Sequence, residues 1–270
     1  MTPASLEGVF KLVATDLDGT LLHTDGTVTA RTREVLTAVE DLGVTVVFVT
    51  GRPIRWMDDL WEHVGGHGLA IVSNGGILYD VHERAVRTAR TIPVEVGLKA
   101  ATILRDAVPG TTFAMERVEG FAKEPGFMPR LPPPPDLRTG PVEEIFDEHV
   151  VKLLARHEDL EPERFWAEVE SHVGHLLTTT WSSVGALVEM SAAGVSKAST
   201  LERLCMDLGI AASQVVAFGD MPNDLPMLEW AGTSYAMANA HSTVQELADH
   251  VAPSNEDDGV ATVLAEIFGL

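Results

Sequence analysis

Four short apolar runs in this chain each stop abruptly at a polar cluster, and that repetition constrains the fold more than any other feature. The run at residues 9–14 leads into Asp16-Leu17-Asp18-Gly19-Thr20, and that at 44–49 into Thr50-Gly51-Arg52. The run at 69–72 leads into Ser73-Asn74-Gly75-Gly76, and that at 214–218 into Gly219-Asp220-Met221-Pro222-Asn223-Asp224. Runs this short and this rich in β-branched residues predict strands buried on both faces. Between the first two, Thr29 can cap a helix whose apolar face is Val35, Leu36, Val39 and Leu42, closed by Gly43. Strand–helix–strand alternation predicts an α/β fold, a Rossmann-like parallel sheet with crossover helices. Open sheets of this kind bind ligands in the crevice beyond the strands' carboxyl ends, where all four clusters fall.

Each cluster carries its own chemistry. Asp16 and Asp18, two residues apart, would point to opposite faces of a continuing strand, but Gly19 lets the chain turn so that both can face the crevice. A calcium loop is the competing reading of Asp-x-Asp-Gly; it needs further oxygen ligands and a Glu near its twelfth position, whereas Thr20, Leu21 and Thr27 stand there. The glycines at 75 and 76 allow either a plain turn or a backbone nest facing a phosphate, and the strand-end position favours the nest. Lys197 follows a capping Ser196, so it falls in the first turn of a helix, where the dipole disfavours a cation unless an anion lies nearby. Asp220 and Asp224, packed beside Asp16 and Asp18, would repel strongly unless a divalent cation neutralised them. Pro226 fits the first turn of the following helix, where its missing N–H is not needed.

The 270 residues suffice for one large domain or two smaller ones. A formal charge of -21 argues against nucleic acid and anionic membranes as partners, and any phosphate site must carry local positive charge. The one cysteine, Cys205, excludes an intramolecular disulfide and lies at helical spacing with Leu201, Leu204 and Leu208, as core packing would have it. The N-terminal residues lack a basic segment followed by an apolar run, and no apolar stretch is long enough to span a bilayer, so a soluble cytoplasmic protein is expected. From about residue 82 the pattern changes: strands at 113–118 and 151–155, a helix at 163–173 and a strand run through 176–181 and 187–190. Residues 1–82 and 191–270 are expected to form the core domain, and 83–190 an inserted domain of mixed α+β type. The segment Leu131-Pro-Pro-Pro-Pro135 reads as a stiff exposed connection.

The four clusters, in this order, resemble the four motifs of the haloacid dehalogenase superfamily, and Asn74-Gly75-Gly76 resembles its Cof-type branch, subclass IIB. The match covers essentially the whole chain; it departs from the commonest Cof form at Met221-Pro222. The resemblance implies a parallel-sheet core with 83–190 as a C2-type cap, and a phosphatase acting on a small phosphorylated metabolite through an aspartyl phosphate. It implies Asp16 as nucleophile and Asp18 as acid and base. Mg²⁺ would be bound by the Asp16 carboxylate, the Asp18 backbone carbonyl and Asp220. Asp224 would orient water and Lys197, while Thr50, Lys197 and Asn223 would cradle the phosphoryl group, with Arg52 and Asn74 as candidate substrate contacts. A P-type ATPase would carry Asp-Lys-Thr-Gly at the first motif; Asp18 instead suits rapid dephosphorylation. A phosphomannomutase-like phosphoryl transferase and a non-catalytic metal-binding regulator remain as alternatives.

Overall fold

The computed structural model describes residues 10–61, 68–129, 134, 136–181 and 185–270. Its strands are β1 (Leu12–Thr15), β2 (Thr45–Val49), β3 (Leu69–Val72), β4 (Ile77–Asp80), β5 (Ala85–Ala89), β6 (Thr112–Arg117), β7 (Phe121–Lys123), β8 (Arg138–Thr139), β9 (Val150–Arg156), β10 (Leu177–Thr180), β11 (Leu187–Ala192), β12 (Val215–Gly219), β13 (Thr233–Met237) and β14 (His250–Ala252). The helices are α1 (Ala30–Asp41), α2 (Asp58–Trp61), α3 (Val94–Ala107), α4 (Val142–Ile145), α5 (Pro162–Val173), α6 (Lys197–Leu208), α7 (Leu225–Trp230), α8 (Ser242–Leu247) and α9 (Gly259–Phe268).

Two sheets result. The first has the order β14-β13-β12-β1-β2-β3-β4-β5, parallel from β14 through β3, with β4 and β5 added antiparallel. Its two faces are separately apolar, as period-2 alternation requires. Val13, Val46, Phe48 and Phe218 share one cluster with Val35 and Val39 of α1 and Leu264 of α9. Leu12, Val47, Ile71 and Ala217 share the other with Leu201, Leu204 and Cys205 of α6. The second sheet, β10-β11-β9-β6-β7-β8, is antiparallel except at β7–β8 and packs one face on α3 and α5 through Ala101, Leu104, Phe165 and Val169.

The two apolar helix faces read from the sequence each lose their last member. Leu42 is 57% and Leu208 47% exposed, because each sits where its helix runs past the edge of what it covers. The change of pattern expected at residue 82 comes later in the hydrogen bonding. β5 still belongs to the first sheet, and the amide of Ile92, donating to the carbonyl of Val150 at 2.8 Å, makes a bond toward the second. All five residues of β5 are exposed, so no apolar alternation marked it. The sequence also predicts a helix around residues 56–64; the structure has a 3₁₀ turn at Ile54–Trp56 followed by α2, and residues 62–64 lie outside the described residues. So do the N-terminal segment and, apart from Pro134, the four-proline run. Among the described residues no helix is long and apolar enough to cross a membrane.

The loop after β1 is tied to the far end of the chain by Asp258. Its Oδ1 accepts from the Thr29 hydroxyl (2.9 Å), which also caps α1, and from the Thr32 hydroxyl (2.9 Å), and it lies 3.2 Å from His23 Nε2. Partial burial would raise the Asp258 carboxyl, but the hydroxyl and imidazole hydrogen bonds outweigh it and hold the group below the ordinary range. A depressed carboxyl stabilises the fold above its unfolded pKa and stops doing so as pH falls through the folded value. Asp258→Asn keeps an acceptor oxygen and tolerates the residue's φ of +54°. It should cost about 1 kcal/mol at pH 7, the difference between a charged and a neutral acceptor. Urea unfolding should show that deficit shrinking as pH falls below the ordinary aspartate range, as the wild-type carboxyl takes up its own proton.

Candidate active site

The carboxyl ends of β1, β2, β3 and β12 lie side by side, since β12 pairs with β1, β1 with β2 and β2 with β3. Asp16 follows β1 directly, and its amide donates to the carbonyl of Phe218 on β12 (3.1 Å). Its side chain is buried, with Oδ1 accepting from Lys197 Nζ at 2.8 Å. The same ammonium donates to Asp224 Oδ1 at 2.6 Å. The other oxygen of Asp224 accepts the backbone amides of Asp220 (3.1 Å) and Met221 (3.0 Å), so both its oxygens are engaged by donors. Asp220 Oδ1 accepts from the Thr20 hydroxyl (2.9 Å).

Asp16, Asp220 and Asp224 present carboxylate oxygens within 4.8 Å of one another, all buried. Burial pushes the Asp16 carboxyl well up, aided by the charges of Asp224 and Asp220, against the pull of Lys197. Burial and Asp224 push Asp220 up to about 6 despite the Thr20 hydrogen bond and Lys197. For Lys197, burial favours the neutral amine, but Asp16 and Asp224 outweigh it and hold the ammonium above its usual range. Three carboxylates facing one ammonium leave uncompensated negative charge on hard oxygen donors. That donor set fits a hard divalent cation.

Gly19 permits this arrangement. It sits at φ +75°, and a Cβ there would come within 2.3 Å of Asp220 Oδ2. Its turn also separates the two aspartates of the first cluster. Leu17 is fully buried, and Asp18 turns outward with its side chain 58% exposed. The expected convergence of four carboxylates is therefore one of three: Asp18 accepts instead from Arg52 Nε (2.7 Å) and from a terminal guanidinium nitrogen. Thr50, buried at the end of β2, accepts the Arg52 amide on its Oγ1 (3.0 Å), and its hydroxyl proton remains to be donated.

The expected nest after β3 is also corrected. The amides of Ser73, Asn74 and Gly76 donate to the carbonyls of Arg52, Thr50 and Ser73, at 2.9, 3.1 and 3.1 Å, so they are not presented to a phosphate. The loop's left-handed residues, Ser73 and Asn74, make a turn that delivers a side chain: Asn74 Oδ1 accepts from Asn223 Nδ2 at 3.2 Å. Asn223 Oδ1 is buried without a hydrogen-bond partner.

Sequence reasoning missed the residues that the second sheet brings here. Lys152 (β9) and Glu189 (β11), both buried, pair at 2.7 Å. Lys152 also donates to the carbonyl of Gly51 (2.7 Å), and Glu189 Oε2 accepts from Asn74 Nδ2 (2.8 Å). Arg55, after β2, reaches Glu116 on β6 at 3.0 and 2.7 Å. A Lys and a Glu alternating inward on strands otherwise apolar was the available signal. A cavity of about 630 Å³ lies beside the site, lined by Asn74, Lys197 and Asn223 from one side and Trp166, Thr180 and Trp181 from the other.

The haloacid dehalogenase-like hydrolase model matches residues 13–264, and the chain belongs to that family. It is similar to a 5-amino-6-(5-phospho-D-ribitylamino)uracil phosphatase of Bacillus subtilis (strain 168), 30% identical, with 94% of each chain covered. It is 29% identical to a pyridoxal phosphate phosphatase of Escherichia coli (strain K12), over 93% of this chain and 96% of the relative. Among solved structures it resembles a haloalkanoate-superfamily phosphatase from Bacteroides thetaiotaomicron. That protein is 25% identical, with TM-score 0.82, 100% of this chain covered and 99% of the other.

Two stability measurements check the charge arrangement. In metal-free buffer at pH 8, Lys197→Met should lose about 3–5 kcal/mol, because it leaves buried carboxylates uncompensated. That deficit should shrink as pH falls toward 6, where Asp220 takes up a proton in the folded state and the repulsion is relieved. Glu189→Ala should cost a similar amount by stranding the Lys152 ammonium, and Lys152→Met with Glu189→Leu should recover most of it. Both are read by urea unfolding.

Proposed function

We propose that the protein is a Mg²⁺-dependent phosphatase that hydrolyses small phosphate monoesters through a phosphoenzyme on Asp16. The observation that carries this reading is the buried Asp16 carboxylate, held by Lys197 and facing Asp220 in a cluster that demands a cation. The relatives' names support the reaction class. Residues 83–190, read with the second sheet, act as a cap that closes over the site and chooses among substrates.

In the first step Asp16 attacks phosphorus, forming the acyl phosphate bond as the bond to the leaving oxygen breaks in line. Asp18 gives that oxygen its proton. In the second step Asp18 takes a proton from water, the water oxygen attacks phosphorus, and the bond to Asp16 breaks. Arg52 holds Asp18 in the resting protein; an arriving phosphate competes for the guanidinium and frees the carboxyl to reach the leaving oxygen. Lys197, the Thr50 hydroxyl and the Asn223 amide hold the phosphoryl oxygens. Mg²⁺ bound by the Asp16 carboxylate, the Asp18 carbonyl and Asp220 would neutralise charge on the transferring group. Asp224, with its oxygens engaged by Lys197 and two amides, keeps the ammonium in place.

Rapid-quench measurement of two variants tests the roles. Asp16→Asn should form no phosphoenzyme. Asp18→Asn, given a nitrophenyl ester that needs little acid help, should show a burst stoichiometric with enzyme and then turnover slowed by about 10²–10⁴-fold. Turnover of wild type should stop when a chelator removes the metal and return with Mg²⁺. A covalent phosphoenzyme in Asp16→Asn, or full activity in verified absence of metal, would overturn the reading.

A further inference from the structure

The cavity beside the site discriminates by charge and by shape. Among the described residues its lining contains a single Lys or Arg, Lys197, whose ammonium already bridges Asp16 and Asp224. The other ionisable groups on its wall are Glu163 and His241. A second phosphate or a carboxylate on the leaving group would therefore be desolvated against no dedicated cation, inside a protein of formal charge -21. The wall instead offers flat surfaces. Trp166 and Trp181 come from the second sheet's side, and Pro222 and Pro226 from the loop and helix after β12. The Trp181 ring meets the His241 ring edge-on, with centroids 6.0 Å apart at 85°, so it joins the two sides of the cavity.

Resting on the phosphatase reading, we propose that this cavity selects phosphate monoesters whose leaving group is an uncharged, ring-bearing alcohol stacked on Trp181, and rejects those carrying a second anionic group. The apolar rings supply area at little entropic cost. The missing cation supplies the rejection, because an unpaired buried charge penalises a ligand more than a lost apolar contact does.

A matched pair of ligands tests the selection apart from catalysis. Benzylphosphonate and phosphonoacetate carry the same non-hydrolysable phosphonate, one with a ring and one with a carboxylate. Calorimetry with Mg²⁺-loaded protein should show benzylphosphonate binding at least tenfold more tightly, and Trp181→Ala should reduce that ratio tenfold or more. In turnover, kcat/KM for benzyl phosphate should exceed that for phosphoglycolate and for fructose 1,6-bisphosphate, with Trp181→Ala acting chiefly on KM. Tighter binding of phosphonoacetate, or a ratio unmoved by Trp181→Ala, overturns the proposal even if all the esters are hydrolysed. Selective binding of benzylphosphonate without turnover of any ester, acetyl phosphate included, would support the cavity assignment and overturn the phosphatase reading instead.

Discussion

The Lys197 ammonium, 1% exposed and shared between Asp16 and Asp224, is the contact on which the rest of the site depends. It joins residues 181 and 27 positions apart in the chain, from the ends of β1 and β12 to the start of α6. Lys197 is the first residue of α6, where the helix dipole opposes a cation. Two carboxylates offset that opposition, and the capping box between Ser196 and Ser199 fixes the helix start so that the side chain emerges at one place. The loop after β3 is locked to the same helix: the Thr200 hydroxyl donates to the carbonyl of Gly75 at 2.8 Å. At Gly75, φ is +97°, and a Cβ would fall 2.1 Å from the Ser196 carbonyl oxygen, so the chain can approach this closely only as glycine.

Such a cluster is a poor source of stability. Burying an ammonium among carboxylates costs about as much in lost hydration as the pairing returns. What it specifies is position. The stability comes from the two apolar faces of the first sheet, whose strands carry the reactive groups on their exits and nowhere along their length. The division lets the site hold unfavourable charge without weakening the strands that present it.

That division also explains what could be read from the sequence. Short apolar strands ending in polar clusters announce themselves locally, so β1, β2, β3 and β12, Asp16, Thr50 and Asp220 were legible from composition and order alone. The caps Thr29 and Ser196 were legible for the same reason. Side-chain direction after the strand was not. The outward turn of Asp18 depends on Leu17 filling the core and on Arg52, 34 residues away, being in reach. The β4–β5 hairpin was hidden because β5 is exposed throughout and carries no alternation. In 83–190, α3, β7, β8 and α4 went unread, and the pairing of β6 with β9 is one that only the fold makes.

The pair Lys152–Glu189 shows how the second sheet is seated. An apolar contact between the two units would hold them together at any small offset, because dispersion and the hydrophobic effect are not directional. A buried ammonium donating to the Gly51 carbonyl, and a buried carboxylate accepting from Asn74, tolerate almost no offset before a charge is stranded. The seat is therefore set by polar geometry. Asn74 is the point of transfer, since its amide nitrogen serves Glu189 and its oxygen serves Asn223. Any displacement of the second sheet disturbs a side chain bonded to Asn223, and any ligand that reorients Asn223 is felt at Glu189. The second sheet's buried pair and the Asn223 side chain beside the Asp16 cluster are thus joined through one amide.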